Sequence, residues 1–177
     1  MPDMSISQDM MALVEPLVPS LRRYARSLLR DPVGADDLVQ DCLERVIGRW
    51  HQRRPDADAK SWMFTILHNL AVNRIRQSAR RGEHVAIDDE NAVFSRPPDQ
   101  EDRIHHQAIL DALERLPEDQ RSVLLLVSVE DMTYPEAAKV MDIPIGTVMS
   151  RLSRARTRFA QIIKDGGVSA AHLRRVK

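Results

Sequence analysis

Residues 133–159 read TYPEAAKVMDIPIGTVMSRLSRARTRF, and this stretch decides the fold class. Thr133 followed three residues later by Glu136 is a capping box, with Pro135 in the first turn. It predicts a short helix to Met141, a break at Asp142-Ile-Pro144 and a long helix from about Ile145. In the long helix Val148, Leu152, Ala155, Phe159 and Ile162 or Ile163 fall within about 100° of one another. The opposite face holds Ser150, Ser153, Arg154, Thr157 and Gln161, with Arg151 and Arg158 at its edge. A short helix, a tight break and a long helix spell a helix-turn-helix. Its outward face can offer guanidiniums to guanine O6 and N7, and hydroxyls to bases or phosphates, in a DNA major groove. A solvated helix with ordinary arginines shares this periodicity; the capped helix and tight break ahead of it favour DNA reading.

Towards the N-terminus the pattern stays helical. A helix is expected around Ile104–Arg115, and Leu116-Pro-Glu-Asp119 opens another with acids suited to the macrodipole. Val123-Leu-Leu-Leu-Val127 permits a strand on propensity alone, but that start predicts a buried helix. Residues 82–103 read GEHVAIDDENAVFSRPPDQEDR, with no sustained period and a Pro97-Pro98 pair. A structureless stretch of this length is improbable inside one compact domain, so 83–103 is expected to be a linker.

The first block is also all-helical. Leu17, Leu21, Tyr24 and Leu28 form one stripe of a helix that starts near Pro16 or Pro19. Asp31-Pro32 is an N-cap with proline at the first helical position. Beyond it Leu38, Val39, Cys42, Leu43, Val46, Ile47 and Trp50 cover one half of a wheel, opposite Asp37, Asp41, Glu44 and Gly48. A third helix runs from about Ala59 to Arg81, with Met63, Leu67, Leu70, Ala71, Phe64 and Ile75 as its core stripe. Beside that stripe Trp62, Asn69, Asn73, Arg76 and Arg80 project within about 60° of each other. A tryptophan next to amides and arginines supplies what single-stranded or melted DNA requires: a stacking platform, edge readers and phosphate anchors. A core tryptophan with solvated arginines fits the same pattern, and the residues alone leave both readings open.

Composition excludes several classes. The 177 residues carry 26 basic and 26 acidic side chains, and the zero net charge hides an asymmetry. Residues 1–82 are net +3, residues 83–103 net −5 and residues 104–177 net +2. Local arginine clusters matter more for a nucleic-acid footprint than global charge. No apolar run approaches the length of a membrane span, and the N-terminus lacks the form of a secretory signal. The single cysteine, Cys42, forms no internal disulfide and fits a reducing cytoplasm. No HExxH, phosphate-binding loop, GxGxxG or GxSxG motif is present, so an enzyme is not expected. His105-His106 is expected to be exposed. Asp36-Asp37 and Asp88-Asp89-Glu90 read as solvated carboxylates, and no metal or cofactor is expected.

Three motifs together resemble one family. Asp36-Asp-Leu-Val-Gln-Asp41, Trp62-Met-Phe-Thr-Ile-Leu-His-Asn69 and Gly146-Thr-Val-Met-Ser-Arg-Leu-Ser-Arg-Ala-Arg156 are similar to the extracytoplasmic-function (ECF) group of bacterial RNA polymerase sigma factors. The resemblance spans about residues 12–163. It implies an all-α chain of two small domains: 10–82 as sigma domain 2, an acidic linker at 83–103, 104–164 as sigma domain 4, and a tail at 165–177. It implies a core RNA polymerase contact through Asp37, Leu38, Gln40, Asp41 and Glu44. The minus-10 surface would be Trp62, Asn69, Asn73, Arg76 and Arg80. Arg53 and Arg54, in the loop Arg53-Arg-Pro-Asp-Ala-Asp58, would help wall the pocket for a flipped base near Asn69. The minus-35 surface would be Tyr134, Thr147, Ser150, Arg151, Ser153, Arg154 and Arg158.

The linker would follow the polymerase's RNA path. No sensory domain is expected after the tail, so control would fall to an anti-sigma factor. Three departures from the family pattern, His68, Pro135 and Met149, are expected to bear on promoter choice. A free-standing repressor would leave the first block unexplained. A sigma-like decoy would, in the family context, carry a phosphoreceiver domain for which 177 residues leave no room.

Overall fold

The computed structural model describes residues 4–29, 31–54, 58–81 and 100–166, and these are helical without a strand. Four helices come from the first block: α1 (Met4–Val14), α2 (Val18–Leu29), α3 (Pro32–Gly48) and α4 (Ala59–Arg81). Four come from the second: α5 (Gln100–Glu114), α6 (Glu118–Ser128), α7 (Tyr134–Met141) and α8 (Ile145–Asp165). Two short 3-10 turns, Glu15–Leu17 and Trp50–Gln52, join α1 to α2 and follow α3. The linker path over 83–99, the Pro97-Pro98 pair, Asp88-Asp89-Glu90 and the tail beyond Gly166 lie outside the described residues.

Local chemistry explains the helix starts. Asp31 caps α3 by accepting from Gly34 N at 2.9 Å, with Pro32 in the first turn. A methyl group on Gly34 would collide with the Asp31 carboxylate and with Arg74 Nη2, so only glycine leaves the cap intact. Arg74 belongs to this corner, donating to Gly34 O at 3.1 Å. Asp58 caps α4 through the backbone N–H of Ser61 at 2.8 Å. Desolvation pushes its carboxyl up, but hydrogen bonds from Ser61 and Lys60 outweigh that and hold it below its ordinary value. The Thr133–Glu136 capping box forms at the head of α7, and Asp142 ends that helix in the left-handed region at φ 52°.

The stripes expected from the sequence are the core. Leu21, Tyr24 and Leu28 of α2, Met63, Phe64, Leu67 and Ala71 of α4, and Val148, Leu152, Ala155 and Ile163 of α8 are buried. The Val123–Leu126 run is helical and buried in α6. Ile47, expected on the apolar half of α3, is instead 53% exposed: the neighbouring Val46 takes the core position, and Ile47 falls on the edge of the wheel next to the acidic face. His106 is half-buried rather than exposed, and burial pushes its imidazole below the ordinary value.

The two blocks are docked on each other. α2 packs on α6 and α4 on α7, and one continuous apolar cluster runs from Leu21 to Leu152. Sequence reading expected two tethered bodies and carried no signal for this contact.

Candidate functional site

Three surfaces stand out on this scaffold. The first is the outward face of α3, where Asp37, Gln40, Asp41 and Glu44 are exposed. Gln40 Nε2 reaches Glu44 Oε1 at 3.4 Å, along the helix. Leu38, grouped with them by resemblance, is only 3% exposed and packs into the core of the first block. Val33, 74% exposed, and Ile47 extend the acidic stripe at its two ends with apolar surface that the sequence reading missed. A Cβ on Gly48 would meet nothing within 4 Å, so the glycine leaves this end of the face low and open.

The second surface is on α4. Asn69, Asn73, Arg76 and Arg80 are exposed, as expected of residues that meet a ligand. Trp62 is half-buried and already has an aromatic partner: its ring sits edge-on to Trp50, centroids 6.0 Å apart at 66°. The Arg53 guanidinium lies over Trp50 at 4.7 Å, a cation–π contact that continues the stack. Arg54 is exposed beside it, and residues 55–57 of the loop are outside the described chain. Trp62, Trp50 and Arg53 thus form one aromatic–cation cluster drawn from three elements; the pairing with Trp50 is invisible to a helical wheel.

His68 does not belong to this surface. It is 6% exposed, its Nδ1 shares a 2.9 Å hydrogen bond with the Tyr24 hydroxyl, and desolvation, helped by the Arg76 charge, lowers its pKa to about 4. Its departure from the family pattern is therefore a matter of core structure. Cys42 is likewise sealed. Its Sγ donates to Met63 O at 3.7 Å, and burial, partly offset by Arg45, pushes the thiol up to about 12. Among the described residues no cluster of three or more His, Cys, Asp or Glu side chains is placed to hold a metal ion.

The third surface is the outward face of α8. Ser150, Ser153, Arg154 and Arg158 are exposed, and Thr147 and Tyr134 are half-buried at its near end. Ser150 Oγ donates to Thr147 O at 3.1 Å, and Arg154 Nε donates to Ser150 O at 3.2 Å. Both side chains thus lie along their own helix, held by single exposed hydrogen bonds that a groove edge can replace. Arg151 behaves differently: its guanidinium pairs with Asp119 at the start of α6, 3.2 Å away. Met149, 54% exposed, and Ile145, 46% exposed, place two apolar side chains one turn apart at the N-terminal end of the helix. Pro135, the remaining departure, sits in the first turn of α7, where its missing N–H costs nothing.

Sequence comparison gives the same order of parts. Residues 14–68 match the family described as "Sigma2 domain of PhyR", and residues 106–159 match "Sigma-70, region 4". The ECF RNA polymerase sigma factor EcfG of Rhodopseudomonas palustris is 32% identical over 167 residues, covering 92% of this chain and 87% of that protein. The RNA polymerase sigma-E factor of Streptomyces coelicolor is 32% identical over 158 residues, covering 88% of this chain and 86% of that protein. Among solved structures, the sigma factor RpoE of Bartonella quintana, crystallised with the anti-sigma factor NepR, superposes with a TM-score of 0.77. That match is 29% identical and covers 89% of this chain and 98% of that one. No described helix is long and apolar enough to cross a membrane. With a region 2 block and a region 4 block in order, and 32% identity to a named relative across 92% of its own length, the chain belongs to the ECF RNA polymerase sigma factors.

Proposed function

We propose that the chain is an alternative sigma factor acting in the cytoplasm, which binds core RNA polymerase and directs it to promoters with matched minus-10 and minus-35 elements. Domain 2 (10–82) makes the core contact through the acidic face of α3 and opens the minus-10 element with α4. Domain 4 (104–164) reads the minus-35 element with α8. The acidic linker 83–103 takes the polymerase's RNA path, where its charge suits a basic channel. The role is one of recognition and melting, without catalysis by this chain.

One observation carries this reading: opposite chemistries are exposed on separate helices of one chain. An acidic stripe (Asp37, Asp41, Glu44) lies on α3, and a serine–arginine face (Ser150, Ser153, Arg154, Arg158) lies on α8. A free-standing repressor needs only the second. Tyr134 and Thr147 border the reading face of α8, and Arg53, Arg54 and the edge-on Trp62–Trp50 pair wall the site where Asn69 takes a flipped base. Flipping a base costs a few kcal/mol, which stacking and hydrogen bonds at such a pocket must offset.

Control falls to an anti-sigma factor. The support is the superposition on a sigma factor solved with NepR. A second reading, a decoy that binds an anti-sigma factor without directing transcription, draws on the PhyR name of the profile matched by residues 14–68. The two readings separate by reconstitution. A sigma factor co-elutes with core polymerase and starts transcripts at a defined promoter; a decoy binds the anti-sigma factor alone.

A further inference from the structure

We propose that Met149, backed by Ile145, seats the C5-methyl group of a thymine in the major groove and so sets promoter choice at one position of the minus-35 element. The inference deepens the sigma-factor reading above and rests on α8 being the helix that enters the groove.

Met149 is 54% exposed and Ile145 46% exposed, although each is a large apolar side chain. They stand four residues apart at the start of α8, about 40° from each other around the helix, with Cβ atoms about 5–6 Å apart. A lone exposed methionine is ordinary on a protein surface. Here two apolar side chains lie next to each other at the N-terminal end of the second helix of a helix-turn-helix, where that motif meets base edges.

The ground beside them is low. Gly146 falls between Met149 and Ser150 around the helix, and a Cβ there would meet nothing within 4 Å. No packing demand accounts for a residue that weakens a helix. The missing side chain leaves a low strip beside Met149, open to an approaching base edge.

The two edges of α8 also differ in charge. On one, Arg151 is turned inward and paired with Asp119 of α6 at 3.2 Å. On the Met149 edge, Ser153 follows one turn on and Arg156 two turns on, both exposed. That edge runs from an apolar patch through a hydroxyl to a guanidinium about 10.5 Å along the axis. A groove offers the matching order, base edges on its floor and phosphates on its wall.

Thymine is the base that this patch distinguishes. Its C5-methyl is the apolar group among those the bases display in the major groove; the rest are donors and acceptors. A donor or acceptor pressed against Met149 loses water and gains no partner, whereas a methyl group gains by leaving water. The unbranched, polarizable thioether chain adjusts to the methyl position. Burying one methyl group corresponds to about fourfold in affinity.

Replacing thymine by deoxyuridine removes that methyl, alters no hydrogen-bonding group and leaves the protein untouched. The preferred minus-35 element is first selected from randomised duplexes by the full-length chain, with core polymerase and without it. Each thymine is then replaced singly by deoxyuridine, and binding is measured for the wild type, Met149→Ala and Met149→Leu, with helicity checked by circular dichroism. At one thymine the wild type is expected to lose about three- to fivefold. Met149→Leu is expected to keep that loss, and Met149→Ala to bind both duplexes equally. A wild type that selects no duplex, selects one without thymine, or is indifferent to every deoxyuridine would overturn the inference. So would an undiminished loss in Met149→Ala. Methyl-sensitive binding by a chain with no affinity for core polymerase would sink the sigma reading and leave Met149 as a base reader. Promoter-specific transcription with no methyl-sensitive thymine would do the reverse.

Discussion

Arg151 Nε lies 3.2 Å from Asp119 Oδ2, so an arginine of α8 is turned back onto the start of α6. Its neighbours Arg154 and Arg158 remain exposed. Three arginines that look equivalent in the sequence are thus in two different states, and they are expected to respond differently to mutation.

Arg154→Ala is expected to weaken the preferred minus-35 sequence by about 1–3 kcal/mol and to relax specificity there. Arg158→Ala is expected to weaken all sequences alike and flatten the salt dependence. Asp119→Asn releases Arg151, so it is expected to raise affinity for any duplex and steepen the salt slope by about 0.9. Gel-shift titrations across salt concentrations distinguish the three, and equal sequence-independent losses for Arg154→Ala and Arg158→Ala would remove Arg154 as a base reader.

Asn69 is exposed in the middle of α4, about two helical turns from Trp62 of the Trp62–Trp50 pair. Asn69→Ala is expected to impair promoter opening while minus-35 binding survives. Permanganate footprinting of unpaired thymines by the reconstituted holoenzyme reads this directly. Normal opening by the variant would take Asn69 out of the pocket.

His68 sets a pH dependence. Its folded pKa near 4 lies below the ordinary 6.5, because burial, with help from Arg76, disfavours the imidazolium. The unfolded chain therefore takes up the proton first. Stability from this residue is fully present above about 6.5 and falls as the pH drops towards about 4, by roughly 3 kcal/mol in all. His68→Leu should lower stability at pH 7.5 by about 1–3 kcal/mol, because the buried Tyr24 hydroxyl loses its partner. It should also flatten the decline in this window. Urea unfolding midpoints between pH 7.5 and 4 provide the comparison, and parallel profiles would refute the assignment.

Gly34→Ala is expected to cost roughly 1–3 kcal/mol, since the new methyl displaces the Asp31 cap and Arg74 together. The same substitution at Gly48, where a Cβ meets nothing within 4 Å, is expected to leave the urea midpoint unchanged or raised.

Much of this was legible in the sequence because it is local. Caps at Asp31 and Thr133, the break at Asp142-Ile-Pro144 and the apolar stripes are written within a few residues, and each appears as expected apart from Ile47 on the stripe of α3. The wheel places Leu38 on the buried stripe, where the structure has it. Helix α1 was missed because its sequence, MSISQDMMALV, has no capping signal and leaves Met11 and Leu13 exposed. α5 begins at Gln100, earlier than expected, because the run Gln-Glu-Asp reads as linker when only apolar periodicity is counted. What could not be read is tertiary. Arg23 and Glu130 are 107 positions apart, and nothing local marks either as paired. The edge-on Trp50–Trp62 pair and the Tyr24–His68 hydrogen bond are hidden for the same reason.

The acidic face of α3 bears on the central claim most directly, because only a sigma factor needs it to meet polymerase. Charge pairs at such a surface act mainly on recognition and association rate, so a double reversal is needed for a large effect. The decisive measurement is transcription from a cognate promoter by the purified chain and core polymerase alone, for the wild type and for Asp37→Lys combined with Asp41→Lys. The account predicts promoter-specific transcripts from the wild type and none from the double variant, with identical helicity by circular dichroism. Tight promoter-duplex binding by the isolated wild type, with no affinity for core polymerase and no transcript, would contradict it.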